Sequence, residues 1–297
     1  TPNSISEHKV DFVVEVESVG DSSKIASGAI RDTKNPRDIL LAQQAAKVII
    51  NSGYFKDGFS IQTGSGGASL AAVKFIRESM IEKGIKANYA LGGITAHMVK
   101  MHEEGLIKRL IDVQSFDKVA AESVKNNEFH KEVSASEYAA ADEQGSATHY
   151  LDIVILSALE VDVDFNVNVL VGSDGIIRGA IGGHPDTAAD SALSIIVCPL
   201  LRGRIPCVVD KVTTLITPGA TVDVVVTEYG IAVNPRRPEV AERLRAAGLK
   251  IVDLNDLKER AEKIIGQPAE LPFGEKVVGV VMYRDNTVLD VIRNIQG

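Results

Sequence analysis

The stretch GFSIQTGSGGASLAAVKF at residues 58–75 ends a short apolar run in a glycine-rich turn and starts an apolar-periodic segment at once. That is the order of a strand, a tight turn and a helix whose first N–H groups face whatever sits at the turn. Gly64, Ser65, Gly66 and Gly67 make up the turn. Three more glycine turns end apolar runs. They are LGGIT at 91–95, with Gly92, Gly93 and Thr95; RGAIGGHPDTA at 178–188, with Arg178, Gly182, Gly183, His184 and Asp186; and TEYGIAVNP at 227–235, with Glu228. In an open parallel sheet such turns converge on the carboxyl edge, where ligands bind. They offer many backbone N–H groups and few side chains. A ligand approached by backbone is favoured, such as a thioester carbonyl or an oxyanion.

A dinucleotide site needs G-x-G-x-x-G and an acid about twenty residues on. Gly64 and Gly66 fit, but Ser69 stands in the third place and NYALGG ends without an acid. The Gly-Lys-Ser/Thr of a phosphate-binding loop is absent from the turn. The side chains leave alternatives open. His184 is either a turn residue or a ligand contact. Asp186 and Thr187 either cap a helix over DTAADSALS or face the ligand. Arg178, Arg202 and Arg204 are either solvated or anion-binding, and Glu228 is a strand-end acid or a buried base. Asn166 and Asn168 alternate with Phe165, Val167, Val169 and Val171, which places them on an outward polar face. Spacing alone shows no Ser–His–Asp set and no paired acids. No metal site is expected either, since His97 and His102 are five apart rather than i, i+4.

The elements that would carry these turns alternate along the chain. Strands are expected at Val10–Val19, FSIQT, NYALGGIT, IKRLIDV, twice in LDIVILSALEVDVDFNVNVLVGSDG, and in LSIIVCPLL, IPCVVDKV and VDVVVTEYG. Helices are expected over NPRDILLAQQAAKVII, where Asn35 caps and Pro36 takes the first helical position, and over Ser69–Lys83 with apolar residues at 70, 73, 76, 80 and 81. Others follow around His97–Glu104, FDKVAAESVKN, PEVAERLRAAG and LNDLKERAEKIIG. Short Val/Ile runs alternating with helices imply an α/β fold, a largely parallel sheet with helices on both faces. Residues 1–29 read as a polar connector and first strand, and residues 30–297 as one α/β domain.

The 297 residues are 45% apolar and 24% charged, ordinary for a globular protein. Lys and Arg number 32 against 40 Asp and Glu, a net charge of −8, so nucleic acid and anionic membrane are poor partners. Cys198 and Cys207 lack CxxC spacing and read as reduced, buried thiols. With no apolar run of membrane length and no signal peptide, a cytoplasmic protein is expected. The chain opens on TPNSISEHKV without Met, which suggests a piece of a longer one.

Taken together, FSIQTGSGGASLA, ALGGIT, EEGLIKRLIDVQSFD, LDIVILSALEVDVDFNVNVLVGSDGIIRGA, GGHPDTA, RGRIP and TEYGIAVNPRRPE resemble the citrate lyase alpha subunit, the citrate CoA-transferase. The resemblance covers nearly the whole chain and only the later part of such a subunit. It implies a CoA-transferase-like fold, the second half of a two-domain subunit, and exchange of acetate for citrate on a thioester. The implied partners are citrate, acetyl-CoA or an acetyl-acyl carrier protein, and the beta (lyase) and gamma (acyl carrier) subunits of an oligomeric complex. The thiol is CoA-derived and comes from the carrier or CoA; no cofactor bound by this chain is implied.

A citrate carboxylate is ionised at neutral pH and needs no base to attack the acetyl thioester. The oxyanions formed on the way need N–H donors, a role that falls to the turns at Gly64–Gly67, Gly92–Gly93 and Gly182–Gly183. His184 and nearby arginines would hold the citrate carboxylates. Related transferases use a Glu nucleophile, whereas NYALGGITAH contains no acid, so direct transfer between substrates is expected, with Glu228 as the rival nucleophile. The chain departs from the family pattern at Ala140 in EYAAADEQG, where Asn is common, at Ile181 before GGH, where a small residue is usual, and at Asn286 in YRDN. The first two bear on substrate fit and the third on a turn. The competing readings are an acetyl-CoA hydrolase or hydroxyacid CoA-transferase, and a non-catalytic docking half of a complex.

Overall fold

The strand ends SIQT and ALG at the first two glycine turns are buried on both faces in the structure, a computed structural model describing residues 5–20, 33–64, 67–141, 145–267 and 270–296. Five strands, β1 (Ser60–Thr63), β2 (Ala87–Ile94), β3 (Ile107–Ser115), β4 (His130–Glu132) and β5 (Ile153–Ser157), precede the short β6 (Glu160–Asp162) and β7 (Val167–Asn168). Then come β8 (Leu193–Val197), β9 (Leu201–Arg202), β10 (Ile205–Pro206), β11 (Val208–Val209), β12 (Val224–Thr227), β13 (Gly230–Val233), β14 (Phe273–Met282) and β15 (Val288–Ile295). The helices are α1 (Pro36–Asn51), α2 (Gly67–Lys83), α3 (Ala96–Glu103), α4 (Lys118–Asn126), α5 (Ala135–Ala139), α6 (His184–Asp190), α7 (Pro238–Ala246) and α8 (Leu254–Ile265).

The main sheet has eight strands in the order β13-β12-β8-β5-β1-β2-β3-β4. All neighbours are parallel except the edge pair β12–β13. On β5 the alternation is plain. Ile153 and Ile155 join the core under α1, α2, α3 and α7, while Val154 and Leu156 join the opposite core with α8. That second face also carries the three-stranded sheet β11-β6-β7, so the expectation of helices on both faces holds only in part.

Local chemistry sets the helix starts. Asn35 Oδ1 accepts the Arg37 N–H at 3.0 Å ahead of Pro36. Asp117 caps α4 through the Ala120 N–H and also takes the Ala96 N–H at 2.7 Å, tying the starts of α3 and α4 to one carboxylate. Ser134 and Glu137 form a reciprocal capping box on α5. Such caps contribute about 1 kcal/mol each.

Four expectations need correction. Residues 10–20 form no strand: Phe12, Val13 and Val14 are exposed, and no described strand offers their backbone a ladder. Alternation marks a segment that wants a sheet edge and does not provide one. Residues 21–32 lie outside the described residues. Asn168 is fully buried, not outward, because its amide donates to Glu160 and to the Val171 carbonyl while its oxygen accepts the Leu170 and Val171 N–H groups. Ile81 is exposed, since it falls off the buried stripe of Leu70, Val73, Ile76 and Met80. Finally, α6 starts at His184, with Pro185 inside its first turn, so neither Asp186 nor Thr187 caps it; the Thr187 hydroxyl donates back to the Gly183 carbonyl.

Candidate active site

The chain runs outward from β1 to β4, then returns to place β5 on the other side of β1. The crevice beyond the carboxyl ends at such a reversal is where open α/β sheets bind ligands. Here it holds a cavity of about 610 Å³, with Gly64 after β1, Gly93 near the end of β2, Gln114 on β3 and Leu156 on β5. That size suits a small-molecule site. Tyr138 of α5 and Gly182, Gly183, His184 and Asp186 around the start of α6 complete the wall. Three of the four sequence-predicted turns therefore meet.

Close approach explains the glycines. The β2–β3 register slips between Gly92 and Gly93, a bulge that re-aims the strand end. Gly92 has φ +97°, and a Cβ there would press on the Gln62 carboxamide at 2.7 Å. A Cβ on Gly93 would enter the Phe116 ring at 1.9 Å, and one on Gly183 would meet Tyr138 at 2.7 Å.

The donors are unequal. The Gly64 N–H is already spent on the Ile155 carbonyl at 2.8 Å, which removes Gly64 from the oxyanion donors expected of its turn. Gly182 and Gly183 have no acceptor for their N–H groups among the described residues. They stand at the cavity wall, with Gly182 at φ +53°.

His184 is not a cationic clamp. Its Nε2 lies 3.0 Å from the Ser157 carbonyl, which can only accept, so Nε2 carries the proton. Nδ1 then accepts from the Thr217 hydroxyl at 2.7 Å. Burial lowers its pKa to about 4, and the imidazole is neutral at pH 7. Among the described lining residues the one formal charge is Asp186, whose pKa desolvation raises.

Several expected residues stand elsewhere. Arg178 pairs with Asp174 in a half-exposed turn. Arg202 donates to the Ala158 carbonyl at 2.7 Å, and Glu228 accepts the Leu200 N–H at 2.8 Å. Thr95 precedes α3 with its hydroxyl buried and without a hydrogen bond. None of these four, nor Gly67 at the start of α2, nor Gly92, lines the cavity. Ser65 and Gly66 fall outside the described residues. Cys198 and Cys207 are buried and unbridged, and burial pushes both thiols up, so neither is a ready nucleophile.

Sequence reasoning missed the polar wall. The Gln62 carboxamide and the Tyr138 hydroxyl hydrogen-bond at 2.8 Å, and Gln114 and Ser136 add amide and hydroxyl groups. The capping box Ser134–Glu137 was a legible signal that a helix begins beside Tyr138. Both departures at Ala140 and Ile181 lie on the cavity wall, while Asn286 adopts φ +66° in the hairpin turn before β15. Among the described residues, no helix is long and apolar enough to cross a membrane.

A family model described as citrate lyase, alpha subunit, matches residues 1–295. The citrate lyase alpha chain of Escherichia coli (strain K12) is 57% identical over 295 residues, which is 99% of this chain and 58% of that one. A crystal structure described as the alpha subunit of citrate lyase from Streptococcus mutans, in complex with citrate, is 52% identical, with a TM-score of 0.95. The match covers 100% of this chain and 58% of that one. The chain thus spans a little over half the length of these relatives. A malonate decarboxylase alpha subunit from Acinetobacter baumannii shares the fold at 16% identity, with a TM-score of 0.55, over 80% of this chain and 57% of that one.

Proposed function

Because the chain belongs to the citrate lyase alpha subunit family, we propose that its cavity is the site of a citrate CoA-transferase with a CoA-transferase-like fold. Acetate is exchanged there for citrate on a CoA-type or acyl-carrier thioester, within a complex that also holds the lyase and carrier subunits. The observation that carries this reading is the pairing of free Gly182 and Gly183 N–H groups with an imidazole whose two nitrogens are both engaged. The site offers donors for an oxyanion but no histidine base for water. A citrate carboxylate needs no such base, because it is already ionised.

The steps balance as follows. A citrate carboxylate oxygen bonds to the acetyl carbonyl carbon, and the tetrahedral oxyanion collapses with loss of thiolate to give a mixed anhydride. The thiolate then attacks the citryl carbonyl, and acetate leaves with the oxygen that citrate brought. In this reading Gly182 and Gly183 donate to the oxyanion, and losing one such donor costs about 3 kcal/mol of transition-state stabilisation. His184 holds the turn against the end of β5 through Ser157. Gln62, Gln114, Ser136 and Tyr138 supply neutral polar groups for the citrate carboxylates and hydroxyl.

The docking reading has one observation on its side: no Lys or Arg is among the described residues that line the cavity. Acetate release from acetyl-CoA by the full chain, with and without citrate, separates the readings. Release that requires citrate and leaves citryl-CoA supports the transferase. Equal release without citrate favours a hydrolase, and no release at all favours docking.

A further inference from the structure

The cavity that is to receive a polycarboxylate carries an acid on its own wall. Asp186, with its side chain 19% exposed, faces a cation that does not line the cavity: Arg284, from the turn between β14 and β15. The Arg284 side chain is itself only 10% exposed. Its terminal nitrogens grip both carboxylate oxygens of Asp190 at the far end of α6. Nη1 also reaches the Asp186 carbonyl at 3.4 Å. The Nε N–H is buried without a hydrogen-bond acceptor and lies 3.6 Å from Asp186 Oδ1. Asp190 has other partners, since Thr148 donates to it at 2.6 Å and His149 stands 3.6 Å away. The guanidinium is therefore shared between Asp190 and Asp186.

We propose that Arg284 is a positioning residue of this site, holding Asp186 as an ion pair from behind the wall so that the cavity can admit an anionic substrate. The inference rests on the functional reading above. A bare carboxylate on the wall would repel each carboxylate of a bound polycarboxylate, and at a few ångströms in a half-buried site that repulsion is large. One guanidinium shared between Asp186 and Asp190 leaves the trio a net negative charge, but it offsets part of the charge that Asp186 would otherwise present to the cavity. Arg284 thus connects the C-terminal hairpin, 98 residues away in sequence, to the electrostatics of the cavity.

The test uses the full chain and reads citrate binding by titration calorimetry alongside KM and kcat. R284Q weakens citrate binding and raises the citrate KM roughly tenfold or more, with a smaller change in kcat. Adding D186N to R284Q restores binding, because the uncompensated wall charge is gone. Adding D190N instead recovers thermal stability but not citrate affinity. If R284Q fails to fold, R284K, which keeps the charge without the planar fork, carries the test and weakens binding less than R284M. A loss that D190N restores and D186N does not would make Arg284 a purely structural clasp and overturn the inference. Equal citrate affinity in the wild type and R284Q overturns it too. No citrate binding by the wild type overturns the functional reading itself, and the inference with it.

Discussion

The Tyr138 hydroxyl and the Gln62 carboxamide lie 2.8 Å apart, joining α5 to β1 at the cavity wall although the residues are 76 apart in sequence. Both are buried, and burial moves the phenol pKa up to about 12, so Tyr138 is a neutral hydrogen-bonding group throughout the physiological range. Y138F keeps the ring and removes the hydroxyl. It leaves a buried amide without its partner, and a loss of about 1–3 kcal/mol in denaturant unfolding is expected. Unchanged stability would show that water replaces the hydroxyl.

The glycines at the cavity are required for space. G93A places a methyl group inside the Phe116 ring, and G183A places one against Tyr138. Each is expected to lower stability by about 1–3 kcal/mol through overpacking and to lower activity with it. F116A in the G93A background removes the obstruction and recovers part of the activity. G84A serves as the control: with no atom within 4 Å of its Cβ position and φ +65°, it is strained by its backbone conformation alone.

His184 predicts an acid-dependent contribution to stability. Its pKa is about 4 in the folded protein against an ordinary 6.5. Between those values the unfolded chain holds a proton that the folded one does not. The contribution is therefore complete above about pH 6.5 and is lost as the pH falls towards 4, by up to about 3 kcal/mol. Denaturation of wild type and H184Q across this range checks it: the wild-type advantage narrows as the pH falls. A constant difference would mean that His184 titrates alike in both states.

The fold was legible where physics is local. The runs ending in QTG and LGG and the strand before the SALEV turn are central parallel strands, and the glycines of the first two mark the carboxyl edge. Asn35 and Pro36 announced α1 correctly. The site was legible only as far as those strand ends. Arg178 stands six residues before His184 in the chain, yet it belongs to a turn with Asp174, so nearness in sequence misled. Tyr138 and Arg284 were invisible for the opposite reason. They reach the cavity region through α5 and the last hairpin, and no spacing rule links EYAA or YRDN to a strand end. The role first given to His184 also needed the structure, because only burial and two hydrogen bonds distinguish a neutral strut from a cationic clamp.

Direct transfer between substrates is the central claim, and a single turnover with citrate labelled with ¹⁸O in its carboxylates tests it. The full chain is mixed in excess with acetyl thioester and labelled citrate, and the acetate released is analysed by mass. Attack by the citrate carboxylate on the acetyl carbon leaves one labelled oxygen in each acetate. Unlabelled acetate would contradict the account, because its oxygen would then have come from water or from an enzyme carboxylate such as Asp186.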